Sequence, residues 1–183
     1  MRSFGMLLTV ALLSLGACAY QPDFSIAPDL KDIDTSRGPA PSYREAITAA
    51  PVSGGKDDNL FSVPNISNKA FQAALARTLL EAKLASASTG RYRLDATLKL
   101  DQPFITINTT VTAIVAYRLT DVATGAVIYD KTLETQGVAQ FTEIAVASER
   151  MRLANVRAVR ANLRRLVEEL YALPDAPVST PRS

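Results

Sequence analysis

Few side chains in this sequence could carry chemistry, and they fall into three groups. The first is the sole cysteine, Cys18. The second is a pair of aspartates, Asp95 and Asp101, in one short polar and apolar alternation. The third is a set of arginines, Arg150, Arg157, Arg160 and Arg164, near the C-terminus. Paired carboxylates suit general acid–base work. Arginines at helical spacing suit phosphate or carboxylate, which their planar fork grips bidentately. A lone thiol makes neither an internal disulfide nor a multi-cysteine metal site.

The 183 residues contain no histidine. Triads of the usual kind and the commonest general base near neutral pH are therefore excluded. A metal site would need carboxylates alone, and no Asp/Glu cluster has calcium-loop spacing. None of the eight glycines builds a phosphate-binding loop. The composition points away from an enzyme, and no cofactor or metal is expected.

The setting of Cys18 decides what its thiol is for. The chain opens MRSFGMLLTV ALLSLGAC, with Arg2 as a short positive start and an apolar run from Phe4 to Leu15. That run is shorter than the ~20 residues a membrane-spanning helix needs. It has the proportions of a secretory signal core before a cleavage site. Leu15-Gly16-Ala17-Cys18 resembles the lipobox of bacterial lipoproteins. The resemblance implies that the cysteine sulfur takes a diacylglycerol, that residues 1–17 are cleaved away, and that the new amine is acylated. A lone cysteine is otherwise often a small core hydrophobe, but Cys18 ends a segment expected to be removed. Two or more acyl chains would anchor the protein durably. In enteric lipoproteins an aspartate after the cysteine favours the inner membrane. Here Ala19 and Tyr20 follow, so the same resemblance implies the periplasmic face of the outer membrane.

Residues 18–59 are expected to form a disordered tether behind the lipid. Pro22, Pro28, Pro39, Pro41 and Pro51 interrupt it, Ser53-Gly54-Gly55-Lys56-Asp57-Asp58 closes it, and no periodicity persists. As a flexible coil it would reach roughly 35 Å, and fully extended about 140 Å. Residues 173–183, with three prolines, are expected to be a second disordered end.

Residues 60–172 suffice for one domain with a single core. Ser67 or Asn68 can cap a helix over Lys69 to Ala85, on which Phe71, Leu75, Leu79 and Ala82 draw an apolar stripe. Thr89-Gly90 would stop it. RYRLDATLKLD then alternates Tyr92, Leu94, Ala96, Leu98 and Leu100 with charged or polar residues, the pattern of a strand with one face in the core. On that reading Asp95 and Asp101 face water as solubilising charge. Ile105 to Thr120 predicts a second strand, Asp121 to Gly125 a hairpin loop, and Ala126 to Gln136 a third strand. Thr142 can cap a final helix from Glu143 to Ala172. At 100° per residue, Ile144, Met151, Asn155, Ala158, Val159, Asn162, Leu166 and Leu170 share one side, and the four arginines the other. The small residues on the buried side let that helix lie close to a sheet. The expected fold is α+β: three or four antiparallel strands with two helices on one face.

The arginine side has two readings. It is either a solvated helix face with i, i+4 support such as Arg164 with Glu168, or a patch for anionic lipid or sugar phosphate. Export makes nucleic acid a poor partner despite a pI near 8.8.

The order of lipobox, tether, NISNKAFQAALARTLL, strands around VTAIVAYRLTDVATGAVIYDKTLETQG, and a long alanine- and arginine-rich helix resembles small envelope lipoproteins. These are typified by the lipopolysaccharide-assembly lipoprotein and by the auxiliary lipoproteins of ABC-type transport systems. It is similar also to lipoprotein activators of peptidoglycan synthases. The resemblance implies a non-catalytic partner of an outer-membrane barrel or transporter component, with anionic glycolipid as a candidate ligand. A tethered regulator of a periplasmic cell-wall enzyme is the alternative, for which a long linker is the matching feature. No residue set carries over from these families.

Overall fold

The alternation in RYRLDATLKLD builds the centre of the molecule. A computed structural model describes residues 25–31, 33, 38–57, 63–102 and 107–175. The expected signal segment, Cys18 and the tail beyond 175 lie outside the described residues. Strand β2 (Tyr92–Asp101) turns Tyr92, Leu94, Ala96 and Leu98 into the core and Arg93, Thr97 and Lys99 outward. It pairs antiparallel with β3 (Thr109–Asp121) from Tyr92↔Asp121 to Asp101↔Thr112. Strand β4 (Val127–Ala139) continues the sheet antiparallel to β3, with a register shift at Leu119/Thr120. The expected hairpin joins them: Asp121 Oδ1 accepts the Ala123 and Thr124 amides, and Gly125 takes a φ of 73°.

The fourth strand comes from upstream of the first helix. β1 (Ile47–Ala49) pairs parallel with β2, Ile47 opposite Tyr92, so the order is β1-β2-β3-β4 and the sheet is mixed. A parallel pair needs a crossover, and helix α1 (Asn68–Glu81) supplies it. The α+β expectation, with two helices on one face, holds. The wholly antiparallel sheet does not.

Both helices cover the apolar face. Ser67 caps α1 by accepting the Ala70 amide at 3.1 Å, and Phe71, Leu75 and Leu79 are buried beneath it. The helix ends at Ala82, well before Thr89, where Lys83 takes a φ of 56° and lets the chain turn back. Helix α2 (Ala147–Tyr171) lies across β3 and β4. Its small residues do allow close approach: a Cβ on Gly137 of β4 would stand 2.2 Å from the Ala154 carbonyl oxygen. Asn162, fully buried, donates to the Ala113 and Leu133 carbonyls and accepts the Tyr117 hydroxyl at 3.0 Å.

Two expected boundaries move. Much of the segment read as tether is folded onto the domain: Pro41–Tyr43 forms a 3-10 turn, β1 follows, and Ile33, Tyr43, Ile47 and Val52 are buried in the core. Each anchors singly against the sheet or the helices, so no period reveals them. Helix α2 starts at Ala147 behind Val146, not behind Thr142. The chain first makes a turn in which Gln140 O accepts the Glu143 and Ile144 amides.

Candidate functional site

Helices α1 and α2 and the upstream segment Ser25–Lys31 enclose a cleft of about 550 Å³. Its floor is set by sequence spacing. Arg77 and Glu81 lie one turn apart on the face of α1 opposite its apolar stripe, and pair at 2.7 Å. Arg160 and Arg164 lie one turn apart on α2. The upstream segment crosses them, with Arg160 Nε donating to the Ser25 carbonyl at 3.1 Å. Lys31 and Asp29 complete the lining. The Lys31 amide, 3.0 Å from Asp29 Oδ1, holds that carboxyl below its ordinary value; desolvation opposes it, and the charges of Lys31 and Arg164 add smaller lowering effects.

Four cations against two carboxylates leave the cleft positive. Guanidinium groups from two helices line it beside the Asp29 and Glu81 carboxylates. Such a surplus of cations suits an anion such as phosphate or carboxylate.

The four arginines expected to form one patch divide into two kinds. Arg160 and Arg164 line the cleft. Arg150 is buried, 4% exposed, and donates to the Ile144 and Ala145 carbonyls at 2.9 and 2.7 Å. Its guanidinium also lies 5.4 Å from the Phe141 ring centre. Arg157 makes a fork to Glu143, with both bonds at 2.8 Å, and reaches the Val138 carbonyl. These two fasten the β4–α2 connection to the helix. The helical wheel places them with the others because it cannot show a preceding loop folding back over the first turns. Arg77 and Lys31, conversely, join the cleft although nothing in their local pattern marks them. The only signal is which face of α1 meets α2, and that is tertiary.

Asp95 and Asp101 do not form a site. Asp95 pairs with Arg93 at 2.8 Å, and Asp101 is exposed at the strand end, about 20 Å along β2 by strand rise. Among the described residues, no group of three or more His, Cys, Asp or Glu side chains could hold a metal ion. No helix among them is long and apolar enough to cross a membrane.

No family model matches the chain, and no curated protein matches it. Solved structures do. A Caulobacter crescentus protein described as a lipoprotein superposes with a TM-score of 0.51 at 14% identity, covering 71% of this chain and 90% of its own. A Xanthomonas campestris protein gives 0.51 at 12% identity, covering 73% and 90%. A minor lipoprotein of Acinetobacter baumannii gives 0.49 at 13% identity, covering 73% and 96%. At such identities the likeness is one of fold. The chain shares the α+β fold of the first two.

Proposed function

We propose that this chain is a small, lipid-anchored, non-catalytic bacterial envelope protein. It works at the periplasmic face of the outer membrane as a partner in outer-membrane assembly or lipid transport. The partner is a barrel or an ABC-type transporter component, and the cleft of Arg77, Arg160 and Arg164 takes the phosphate of an anionic glycolipid. The observation that carries this reading is that a residue close in sequence to Cys18 already packs on the domain. Ser25 is already held by Arg160, so only seven Cα–Cα steps separate Cys18 from the packed domain, about 25 Å at full stretch. A lipid on Cys18 would hold the domain against its own membrane, with the cationic cleft within reach of headgroups. The fold shared with a protein described as a lipoprotein agrees with the lipobox. The same short span suits a partner at its own membrane better than a regulator reaching through the cell wall.

In-cell crosslinking of tagged full-length protein, followed by mass spectrometry, tests the reading. Capture of a barrel or transport component supports it. Capture of a peptidoglycan synthase alone would overturn it in favour of the regulator.

A further inference from the structure

Several of the exposed large apolar side chains gather at one end of the domain. Val63 is 49% exposed, Ile107 77%, Phe141 51% and Val146 58%. Strand pairing and hydrogen bonds bring them together from three connections. Thr109 at the start of β3 lies opposite Ala139 at the end of β4. The Phe141 amide donates to Asn108 Oδ1 at 3.2 Å, which joins the β2–β3 loop to the β4–α2 loop. The Pro64 carbonyl, next to Val63, accepts from Gln102 just after β2 and from Asn155 on α2, both at 2.7 Å. Val146 immediately precedes α2.

Part of the described upstream segment lies toward the same end. Ile26 sits in a hollow with Ile66, Ala70, Arg152 and Val156, in the early turns of both helices. Asp29 and Lys31 lie further along, beside Arg77, Arg160 and Arg164. From Lys31 back to Ile26, the described segment therefore runs toward the helix N-termini. From Val156 to the start of α2 is about 14 Å of helix, and the seven steps from Ser25 to Cys18 span up to about 25 Å. Cys18 can stand level with Phe141 and Val146.

We propose that this end is the membrane-contacting face. Ile107, Phe141 and Val146, with Val63 beside them, enter the headgroup–acyl boundary of the bilayer that holds the Cys18 lipid. The inference rests on the lipid-anchor reading of Cys18. A single surface anchor leaves a domain free to tumble, whereas apolar side chains clustered around the anchor's point of entry give a second attachment and fix its orientation.

The protein contains no tryptophan, so single-tryptophan reporters are free of background. Full-length lipidated protein carrying Ile107→Trp, Phe141→Trp or Val146→Trp is reconstituted into phosphatidylethanolamine–phosphatidylglycerol vesicles with brominated acyl chains. Val122→Trp, in the β3–β4 turn at the opposite end, is the control. The three reporters should shift to the blue and lose about half or more of their emission, as rings ~5–10 Å into the boundary would, while the control stays quenched little. Equal, weak quenching at all four positions would overturn the orientation. So would reporters that stay wet on vesicles yet crosslink to a protein in cells, which would assign the face to a protein partner. Intact mass of the purified protein separates the two levels. An acylated Cys18 with unquenched reporters defeats the orientation alone, and an unacylated Cys18 defeats the anchor reading and the orientation with it.

Discussion

Gly137 lies beneath Ala158 so closely that a Cβ at position 137 would stand 2.2 Å from the Ala158 backbone nitrogen. The neighbour is helix backbone, which cannot yield as a side-chain tip would. Gly137→Ala must therefore push α2 off β4 or distort the strand, and overpacking of this kind costs about 1–3 kcal/mol. In a domain of this size the melting temperature should fall by roughly 3–10 °C. Thermal melts followed by circular dichroism check it, and an unchanged midpoint would mean that the helix does not approach the sheet this closely.

Asn162 should be worth more to stability than its polarity suggests. It spans three acceptor or donor sites in a dry layer: the Ala113 and Leu133 carbonyls and the Tyr117 hydroxyl. Burial drives the Tyr117 phenol well above its ordinary pKa, so it remains a donor throughout the stable pH range. Asn162→Leu strands the buried hydroxyl and should cost about 2–3 kcal/mol, while Tyr117→Phe removes only the donor and should cost about 1 kcal/mol. In the double variant the losses should not add, because the hydroxyl left without a partner is gone. Urea titrations of the four proteins measure the coupling, and strict additivity would deny the bond.

What could be read from the chain follows what is local. The β2 alternation, the Asp121–Gly125 turn, the Ser67 cap and the apolar stripe of α1 are each written within a dozen residues and form where expected. The stripe of α2 forms from Met151 onward, with Ile144 left in the turn before the helix. Strand β1 is three residues long, too short for any period, and it forms only because Tyr92 and its neighbours offer a strand edge. Ile33, Tyr43 and Val52 look like isolated apolar residues in a proline-rich linker until the core they fill exists. The cleft shows the same division. Arg160 and Arg164 are legible as one helix face, but Arg77 and Lys31 arrive by tertiary packing and Arg150 is withdrawn by it.

Asp121 should make stability fall in acid. Burial of its carboxyl acts to raise the pKa, but the Arg91 guanidinium at 2.9 Å and the Thr124 and Ala123 amides outweigh it, and the net value lies below the ordinary carboxylate. A carboxyl with a lowered folded pKa contributes stability that is fully present above its unfolded pKa, about 3.9. That contribution is lost as pH falls through the lower folded value. Asp121→Asn should be less stable than the parent at pH 7, by about 1 kcal/mol or more, and the gap should close below about pH 4. Chemical denaturation across pH 2–7 reads this directly. A gap that stays constant into acid would remove ionised Asp121 from the account.

The division of the arginines predicts two phenotypes from chemically identical changes. Arg150→Gln removes a buried group that holds two loop carbonyls, and should cost about 2–3 kcal/mol because those acceptors lose charged donors. Arg77→Gln, Arg160→Gln and Arg164→Gln together change a half-open cleft, where ion pairs contribute little to folding, so the triple variant should melt within a few degrees of the parent. Its binding to vesicles containing an anionic phospholipid or glycolipid should fall several-fold, and the parent's binding should weaken with salt as surface electrostatics require. To keep the acyl anchor from masking the effect, binding is read as protection of the cleft from arginine-directed modification on anionic against neutral vesicles. Protection of Arg77, Arg160 and Arg164 in the parent that depends on anionic lipid, together with protection of Lys31 from amine-directed modification that is lost in the triple variant, supports a headgroup site. Equal modification on both vesicle types would reduce the cleft to a solvated seam between α1, α2 and the upstream segment.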